Sequence, residues 1–399
     1  MRRVVITGAG TVNALARDVA GTVAAFRAGA CGIGRLDVRD VERLSVRVGA
    51  AVANWPPEDL FDPAVAPLYD RFTQFAVAAG REAMRDAGLE GALGPRAGCI
   101  MGSAAGGIGT WEDSYRAVFA DGRNRVSPLV VPRLMHNAAA SHLSMLHGLQ
   151  GPVFTVASAC ASSNHAMGLA MQLIRGGAAD VIVTGGSEAM LCFGGIKAWE
   201  GLRVLSPDAC RPFSADRTGM VMGEGAAVLV FEAEDHARAR GAKVLAEVAG
   251  FGMTSDAGDI VAPSVDGAAR AMRAALEDAG MAVGDVGYVN AHGTGTAAND
   301  RTETAALRQV FGDRVPPVSS TKAMHGHAIG ATGAIEVIAC LMALNEAVLP
   351  PTIGYRQPDP DCAIDVVANV ARPAQVEAVL SNAFAFGGLN AVLALRRCE

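Results

Sequence analysis

The sequence predicts a layered α/β fold built from two copies of one unit. Three observations predict it. Near-continuous apolar runs, Asp180-Val181-Ile182-Val183-Thr184-Gly185-Gly186 and Gly225-Ala226-Ala227-Val228-Leu229-Val230-Phe231, have the composition of strands buried on both faces. Such runs alternate with helical stretches along the chain, the pattern of strand and helix layers. The chain also echoes itself. Glu82-Ala83-Met84-Arg85-Asp86-Ala87-Gly88-Leu89 resembles Ala274-Ala275-Leu276-Glu277-Asp278-Ala279-Gly280-Met281, and each leads to a short β run, Gly98–Gly102 or Gly287–Ala291. The two echoes lie about half a chain apart, so duplication is the economical reading.

The elements follow in order. Arg3 to Gly8 reads as a first strand. Gly8-Ala9-Gly10-Thr11-Val12-Asn13 lacks the third glycine of a dinucleotide fingerprint and reads as a tight turn. Pro56, Pro57 and Pro63 mark loops. From Asp70 to Ala87, Phe72, Phe75, Ala76, Ala79, Ala83 and Met84 line one face of a helix. Gly151-Pro152 breaks the chain before a β-rich stretch ending at Val156, and a helix from Ala166 to Arg175 stops at Gly176-Gly177.

Cys160 sits between those last two elements, where a strand turns into a helix. A helix start offers unpaired N–H groups and partial positive charge, and both favour the nucleophilic thiolate. A collar of Ala157, Ser158, Ala159, Ala161 and Ser162 leaves room for a carbonyl to approach. That stretch alone equally fits one more buried cysteine.

Composition narrows the class. The 399 residues are 51% hydrophobic, enough for a large core. The net charge is −6 with no basic stripe, which argues against nucleic acid as partner. Mean hydropathy is +0.27, but the apolar residues are spread out, so no membrane span and no membrane partner is expected. Met1-Arg2-Arg3 leads into an apolar run too short for a signal peptide. Eight cysteines form no Cys-x-x-Cys pair, which suggests neither a zinc site nor a disulfide framework and fits a cytoplasmic setting.

The second half carries the polar groups. His292-Gly293-Thr294-Gly295-Thr296 follows a buried strand, and Lys322-Ala323-Met324-His325-Gly326-His327 precedes a helix from Gly330. Taken singly, each histidine reads as a hydrogen-bonded structural residue. Glu336 stands out in an apolar helix, where a buried carboxylate needs a partner such as Lys322 or a histidine. Ser381-Asn382-Ala383-Phe384-Ala385-Phe386-Gly387-Gly388-Leu389-Asn390 reads as a turn between two β runs.

These motifs, with Arg211-Pro212-Phe213 and Gly223-Glu224-Gly225, resemble the β-ketoacyl-acyl carrier protein synthases over residues 3 to 396. The resemblance implies a thiolase-like fold: two βαβαβαββ halves in a five-layered α-β-α-β-α sandwich. Residues 1–240 would carry the nucleophilic cysteine and residues 241–399 the two histidines. It implies that Cys160 carries the acyl group, and that His292 and His327 stabilise the enolate left when malonyl-carrier loses carbon dioxide. Backbone N–H groups of Cys160 and Phe386 would form the oxyanion hole. Lys322 and Glu336 would orient His327 and set its protonation. Thr294 and Thr296 would hold the phosphopantetheine arm, Phe386 would act as a gate, and Phe384, Gly387 and Gly388 would complete the substrate site. Arg123, Arg125 and Arg203 would dock an acidic acyl carrier protein. No cofactor and no catalytic metal is implied beyond the phosphopantetheine on the substrate; a structural monovalent cation would sit near Asn290, Ala291, Ser381 and Asn382. The expected assembly is a homodimer, with a heterodimer beside a ketosynthase-like partner left open.

Three departures from the family pattern carry expectations. Ala385 stands where glycine is usual, which suggests a stiffer gate. Leu389 also replaces the usual threonine of that same turn, and the carrier-docking surface is thin in basic residues, with Ala66-Pro67-Leu68 rather than a Lys/Arg cluster before the helix at Asp70. Trp111 falls near the floor of the acyl pocket and suggests short or unusual primers. The competing readings are a thiolase-like enzyme using coenzyme A, against which the second histidine argues, and a non-catalytic partner subunit, against which Cys160 argues.

Overall fold

The computed structural model describes residues 2–398. Its main sheet has ten strands: β1 (Val4–Asn13), β2 (Ala97–Gly102), β3 (Val153–Val156), β4 (Val181–Glu188), β5 (Gly225–Ala233), β6 (Ala246–Ser255), β7 (Tyr288–Asn290), β8 (Val318–Ser319), β9 (Ala378–Ala385) and β10 (Leu389–Arg396). Six helices form the layers: α1 (Arg71–Asp86), α2 (Ala138–His147), α3 (Ser162–Arg175), α4 (Val265–Ala279), α5 (Ala297–Phe311) and α6 (Thr332–Glu346).

The strand order is β8-β7-β9-β10-β6-β1-β5-β4-β2-β3. Read outward from the β6–β1 junction, both halves follow the same path. β1 pairs antiparallel with β5, β5 antiparallel with β4, and β4-β2-β3 run parallel. β6, β10, β9, β7 and β8 repeat that pattern. Within the sheet, among the described residues, the halves pair through Val5 opposite Glu247 and Ile6 opposite Ala246. The octet echo has a structural meaning: its copies are the C-terminal ends of α1 and α4, which occupy equivalent places.

Helices complete the five layers. α1 and α2 cover the first half-sheet, while α4 covers the second with α5 against it. α3 and α6 lie between the half-sheets and touch both. Central position demands an apolar surface all round, and in α6 every residue from Thr332 to Leu344 is buried. By length and hydropathy alone Ile329–Glu346 would suit a membrane span, a feature the dispersed-hydropathy expectation overlooked. Its partners here are protein layers, and about nine-tenths of it is buried.

One expected turn is absent. Gly8 and Gly10 lie inside β1, which continues to Asn13. A Cβ on either would fall about 2 Å from carbonyl oxygens of α1, at Ala83 and Ala79. The glycines therefore serve close helix–strand packing. The expected helix at Asp70 appears with Asp70 as its N-cap, accepting from the Phe72 N–H.

The two central helices start alike. A short 3₁₀ turn precedes each, Ala159–Ala161 before α3 and Ile329–Ala331 before α6. Each turn opens on a non-glycine residue at positive φ: Ala159 at 49° and Ile329 at 44°. Such backbone is costly, about 1 kcal/mol or more for each residue, and persists where packing over-determines it. Cys160 and Gly330 thus occupy equivalent points in the two halves.

Gly102, at the end of β2, sets how closely α3 approaches. A Cβ there would meet the Ser163 nitrogen at 2.4 Å and the Ser162 carbonyl carbon at 2.5 Å. Gly102→Ala is expected to push the α3 start outward, costing about 1–3 kcal/mol by overpacking. Thermal unfolding and the alkylation rate of Cys160 check this; no change in either would mean the helix start has slack.

Candidate active site

Cys160, His292 and His327 come from separate elements and converge. Cys160 lies in the turn that starts α3, His292 follows β7, and His327 precedes the turn of α6. Their sulfur and ring nitrogens lie within 4.8 Å of one another, and all three are buried. The two imidazoles meet edge to face, with centroids 5.5 Å apart and planes at 83°. His327 is fixed through its backbone, its N–H donating to Val221 O at 2.7 Å and its carbonyl accepting from Gly223 N–H at 2.8 Å.

Burial pushes the Cys160 thiol up to about 12. Three features pull the other way: the Lys322 charge and the nearby backbone N–H groups of Cys160 and Phe386. The expected thiolate-favouring helix start is present, but desolvation outweighs it in the closed pocket. The same two amides are donors of the kind that can meet a developing oxyanion beside the thiol.

The histidines are held neutral. Burial pushes both well below the ordinary imidazole value, and the nearby Lys322 charge adds to it. His327 Nδ1 lies 2.8 Å from Thr332 Oγ1, while its Nε2 is buried without a protein partner among the described residues. If the Thr332 hydroxyl donates to Nδ1, Nε2 carries the proton and faces the cavity as a donor. The loop of His292 hangs on Glu303, whose carboxylate accepts from the His292 N–H at 2.8 Å and the Gly293 N–H at 2.7 Å.

Lys322 and Glu336 meet as expected, Nζ to Oε1 at 2.5 Å, both out of contact with water. Burial drives the Glu336 carboxyl up to about 7 against the pull of Lys322. The expected task of orienting His327 falls instead to Thr332, because Nδ1 binds Thr332. Lys322 acts on the histidines through its charge.

A cavity of about 350 Å³ opens over the trio. Thr294 and Thr296 line it, with hydroxyls 2.9 Å apart, and so do Phe384, Phe386 and Gly388. Phe384 packs edge-on to His292. Gly387 and Gly388 take φ of 84° and 68° and make the turn between β9 and β10. Ala385 ends β9 in extended backbone, outside the positive-φ residues, so alanine fits this conformation without strain. Leu389 begins β10.

Trp111 does not line this cavity. It is 39% exposed, stacks on Tyr115, and borders an open groove with Met135 and Phe154. Arg203 is exposed beside the cavity-lining Leu202 and Val204. Arg123 and Arg125 lie on an exposed segment, with Arg123 3.8 Å from Asp121.

The residues expected around a monovalent cation also come together. Asn290 pairs with Ser381 across β7 and β9, and Ala291 follows. Asn290 Oδ1, Ser381 Oγ and Asn382 Oδ1 are buried without protein partners among the described residues. Orphaned hard oxygens of this kind fit an alkali cation.

Three site residues escaped the sequence reading: Glu303, Thr332 and Trp199. Trp199 lines the cavity and stacks on Phe386. Glu303 and Thr332 sit 11 and 5 residues after the histidines they hold, on the helices that follow, and that spacing was their signal.

Comparison with known proteins agrees along the whole chain. Residues 1–237 match the family described as "Beta-ketoacyl synthase, N-terminal domain" and residues 245–356 its C-terminal domain. Nodulation protein E of Rhizobium sp. (strain N33) is 50% identical over 400 residues, 99% of both chains. The 3-oxoacyl-[acyl-carrier-protein] synthase 2 of Staphylococcus aureus (strain N315) is 40% identical over 409 residues, covering 100% of this chain and 99% of that one. Among solved structures, "The ishigamide ketosynthase/chain length factor" superposes with a TM-score of 0.96 at 36% identity over the full length of both chains.

Two expectations test the electrostatics. In NMR titrations, His292 and His327 should show no protonation midpoint near the ordinary value of about 6.5. Because their folded values lie below the unfolded ones, they withdraw stability as the pH falls below about 6.5; a midpoint near 6.5 would mean water reaches both rings. Glu336→Leu alone should cost about 3–5 kcal/mol by stranding a buried ammonium, while Lys322→Met with Glu336→Leu should recover most of it. Denaturant melts of the single and double variants decide.

Proposed function

Because the chain belongs to the β-ketoacyl synthase family, we propose that the Cys160, His292 and His327 cluster performs that family's decarboxylative condensation. The chain is an acyltransferase of the condensing type, acting in fatty-acid or polyketide elongation, and it needs no cofactor beyond the phosphopantetheine on its substrate. The observation that carries the residue assignment is the convergence of one buried thiol and two buried imidazoles within 4.8 Å of one another.

The chemistry runs in two halves. Cys160 sulfur attacks the thioester carbonyl of an acyl carrier protein; its proton passes through a neutral imidazole to the departing pantetheine thiol. The amides of Cys160 and Phe386 hold the tetrahedral oxyanion. Malonyl-carrier then binds, with its pantetheine arm along Thr294 and Thr296. As carbon dioxide leaves, the electron pair of the broken C–C bond forms an enolate, whose oxygen accepts from His292 and His327. The enolate carbon attacks the acyl carbonyl on Cys160, and the sulfur leaves. The product is longer by two carbons.

Neutral histidines suit this step. A donor already neutral need not lose a proton to the enolate, and it does not stabilise the malonyl carboxylate as an imidazolium would. Lys322 supports both roles by keeping the rings uncharged. The oxygens of Asn290, Ser381 and Asn382 would hold a structural cation, which would neutralise buried oxygen dipoles behind the His292 loop.

Carrier docking is assigned to Arg125 and Arg203, with Arg123 weaker because of Asp121. A second subunit is expected to cover the exposed apolar face of Trp111, Tyr115, Phe119 and Phe154, which includes the edge strand β3. A homodimer is the reading here; a related partner chain is the alternative, and Trp111 can floor an acyl pocket only in such a pair. The free cysteines support a cytoplasmic setting.

Intact-mass spectrometry after incubation with acyl-carrier substrates tests the core assignment. Adducts are expected on the wild type and absent from Cys160→Ala. Adducts only from acyl-coenzyme A would instead favour a thiolase-like acyltransferase.

A further inference from the structure

Glu188 is the last residue of β4, and it is fully buried. Its carboxylate meets four neutral donors. Oε2 accepts from the N–H groups of Ala104 at 2.7 Å and Gly330 at 3.2 Å, and Oε1 from the Ala105 N–H and the Ser103 hydroxyl, each at 3.2 Å. The Ser103 hydroxyl itself accepts from the Gly106 N–H at 3.1 Å, which leaves its hydrogen for Glu188. An ionised carboxylate has acceptors enough for all of them. Burial pushes the Glu188 carboxyl up to about 7, and the amides pull it back.

The donors belong to two stretches of chain. Ser103 to Ala105 follow β2. Gly330 lies between His327 and Thr332, in the turn that opens at Ile329 with φ 44°. Thr332 in turn meets His327 Nδ1 at 2.8 Å. Glu188 therefore ties the piece of chain that presents His327 to the end of β2. There is no slack in the join, since a Cβ on Gly330 would fall 2.5 Å from the Ala104 nitrogen and 2.6 Å from Glu188 Oε2. The corner has a counterpart in the other half. Glu188 ends β4 opposite Gly225, as Ala385 ends β9 opposite Leu389. Ala385 lines the cavity over Cys160, whereas the Glu188 corner is filled by its own anion.

We infer that Glu188 is a positioning residue for His327: its carboxylate is a built-in anion that clamps the turn before α6 to the loop after β2. The clamp fixes the ring that meets the enolate. This deepens the condensation reading and rests on it, because His327 matters through that step.

The clamp separates the two half-reactions. Acylation of Cys160 uses the α3 start, whereas condensation needs His327 in place. Glu188→Ala should slow condensation by about a hundredfold, the scale of a misplacement of about 1 Å, and acylation much less. It also leaves the donors around an empty corner. Formate carries the same two oxygens, so rising formate should restore condensation in Glu188→Ala and raise its unfolding temperature. Neither effect is expected in the wild type. Glu188→Gln keeps the size but turns an NH2 group toward the donors, so it should slow condensation with no rescue by formate.

Single-turnover acylation by acyl-carrier, followed by addition of malonyl-carrier, reads the steps separately. Selective loss of condensation with formate rescue supports the clamp. Equal slowing of both steps, or a folded Glu188→Ala that formate neither restores nor stabilises, overturns it. Should Glu188→Ala fail to fold, Glu188→Gln decides: condensation at the wild-type rate overturns the clamp, and its selective loss supports it. Stabilisation by formate is measured without acyl substrate. Failure of the wild type to acylate would therefore overturn the condensation reading and not the anion site.

Discussion

A charged pair without water around it governs this site. Lys322 and Glu336 meet at 2.5 Å inside the layer that joins the two halves. Neither could be buried alone, since an unpaired charge there would cost several kcal/mol. Paired, they let α6 stay buried on every side. They also leave a directional field, because the ammonium end lies toward the histidines and the thiol. Its charge favours neutral imidazoles and, to a lesser degree, ionised sulfur. Helix burial and site electrostatics thus have one cause.

Duplication explains where the groups meet. Two copies of one α/β unit place two equivalent helices back to back, and each starts from a strained turn. The copies have diverged at that turn: cysteine at 160, glycine at 330. A side chain at Gly330 would strike the Ala104 nitrogen at 2.5 Å and Glu188 Oε2 at 2.6 Å. Glu188 fills the equivalent space, accepting from the N–H groups of Ala104, Ala105 and Gly330. One pseudo-equivalent pocket is thus plugged by the protein's own carboxylate, and the other stays open for substrate.

The sequence made the scaffold legible where local rules and tertiary packing agree. The octet echo marked equivalent helices because both end at glycine before a buried strand. Cys160 was legible as a helix-start nucleophile candidate, and the motifs after it named the partners. What stayed hidden depends on contacts between distant segments. Gly8 and Gly10 resemble a turn until α1 crosses them. Thr332 orients His327 only because the turn before α6 brings it back to Nδ1. Trp199 carries no motif at all, and its stack on Phe386 joins residues nearly two hundred positions apart. Trp111, the more conspicuous tryptophan, lies on an exposed face outside the cavity.

The site divides its donors by the charge they must meet. In the proposed reaction, backbone amides serve the tetrahedral oxyanion next to Cys160, where side-chain rotamers would add freedom. In that proposal the imidazoles serve the enolate, which forms further out on the pantetheine arm. Each kind of donor has its own anchor: Glu303 and Thr332 for the rings, the α3 start and the Trp199 stack for the amides. The α3 anchor is built into the fold. The ring of Phe386 is held by a contact between two side chains, its stack on Trp199.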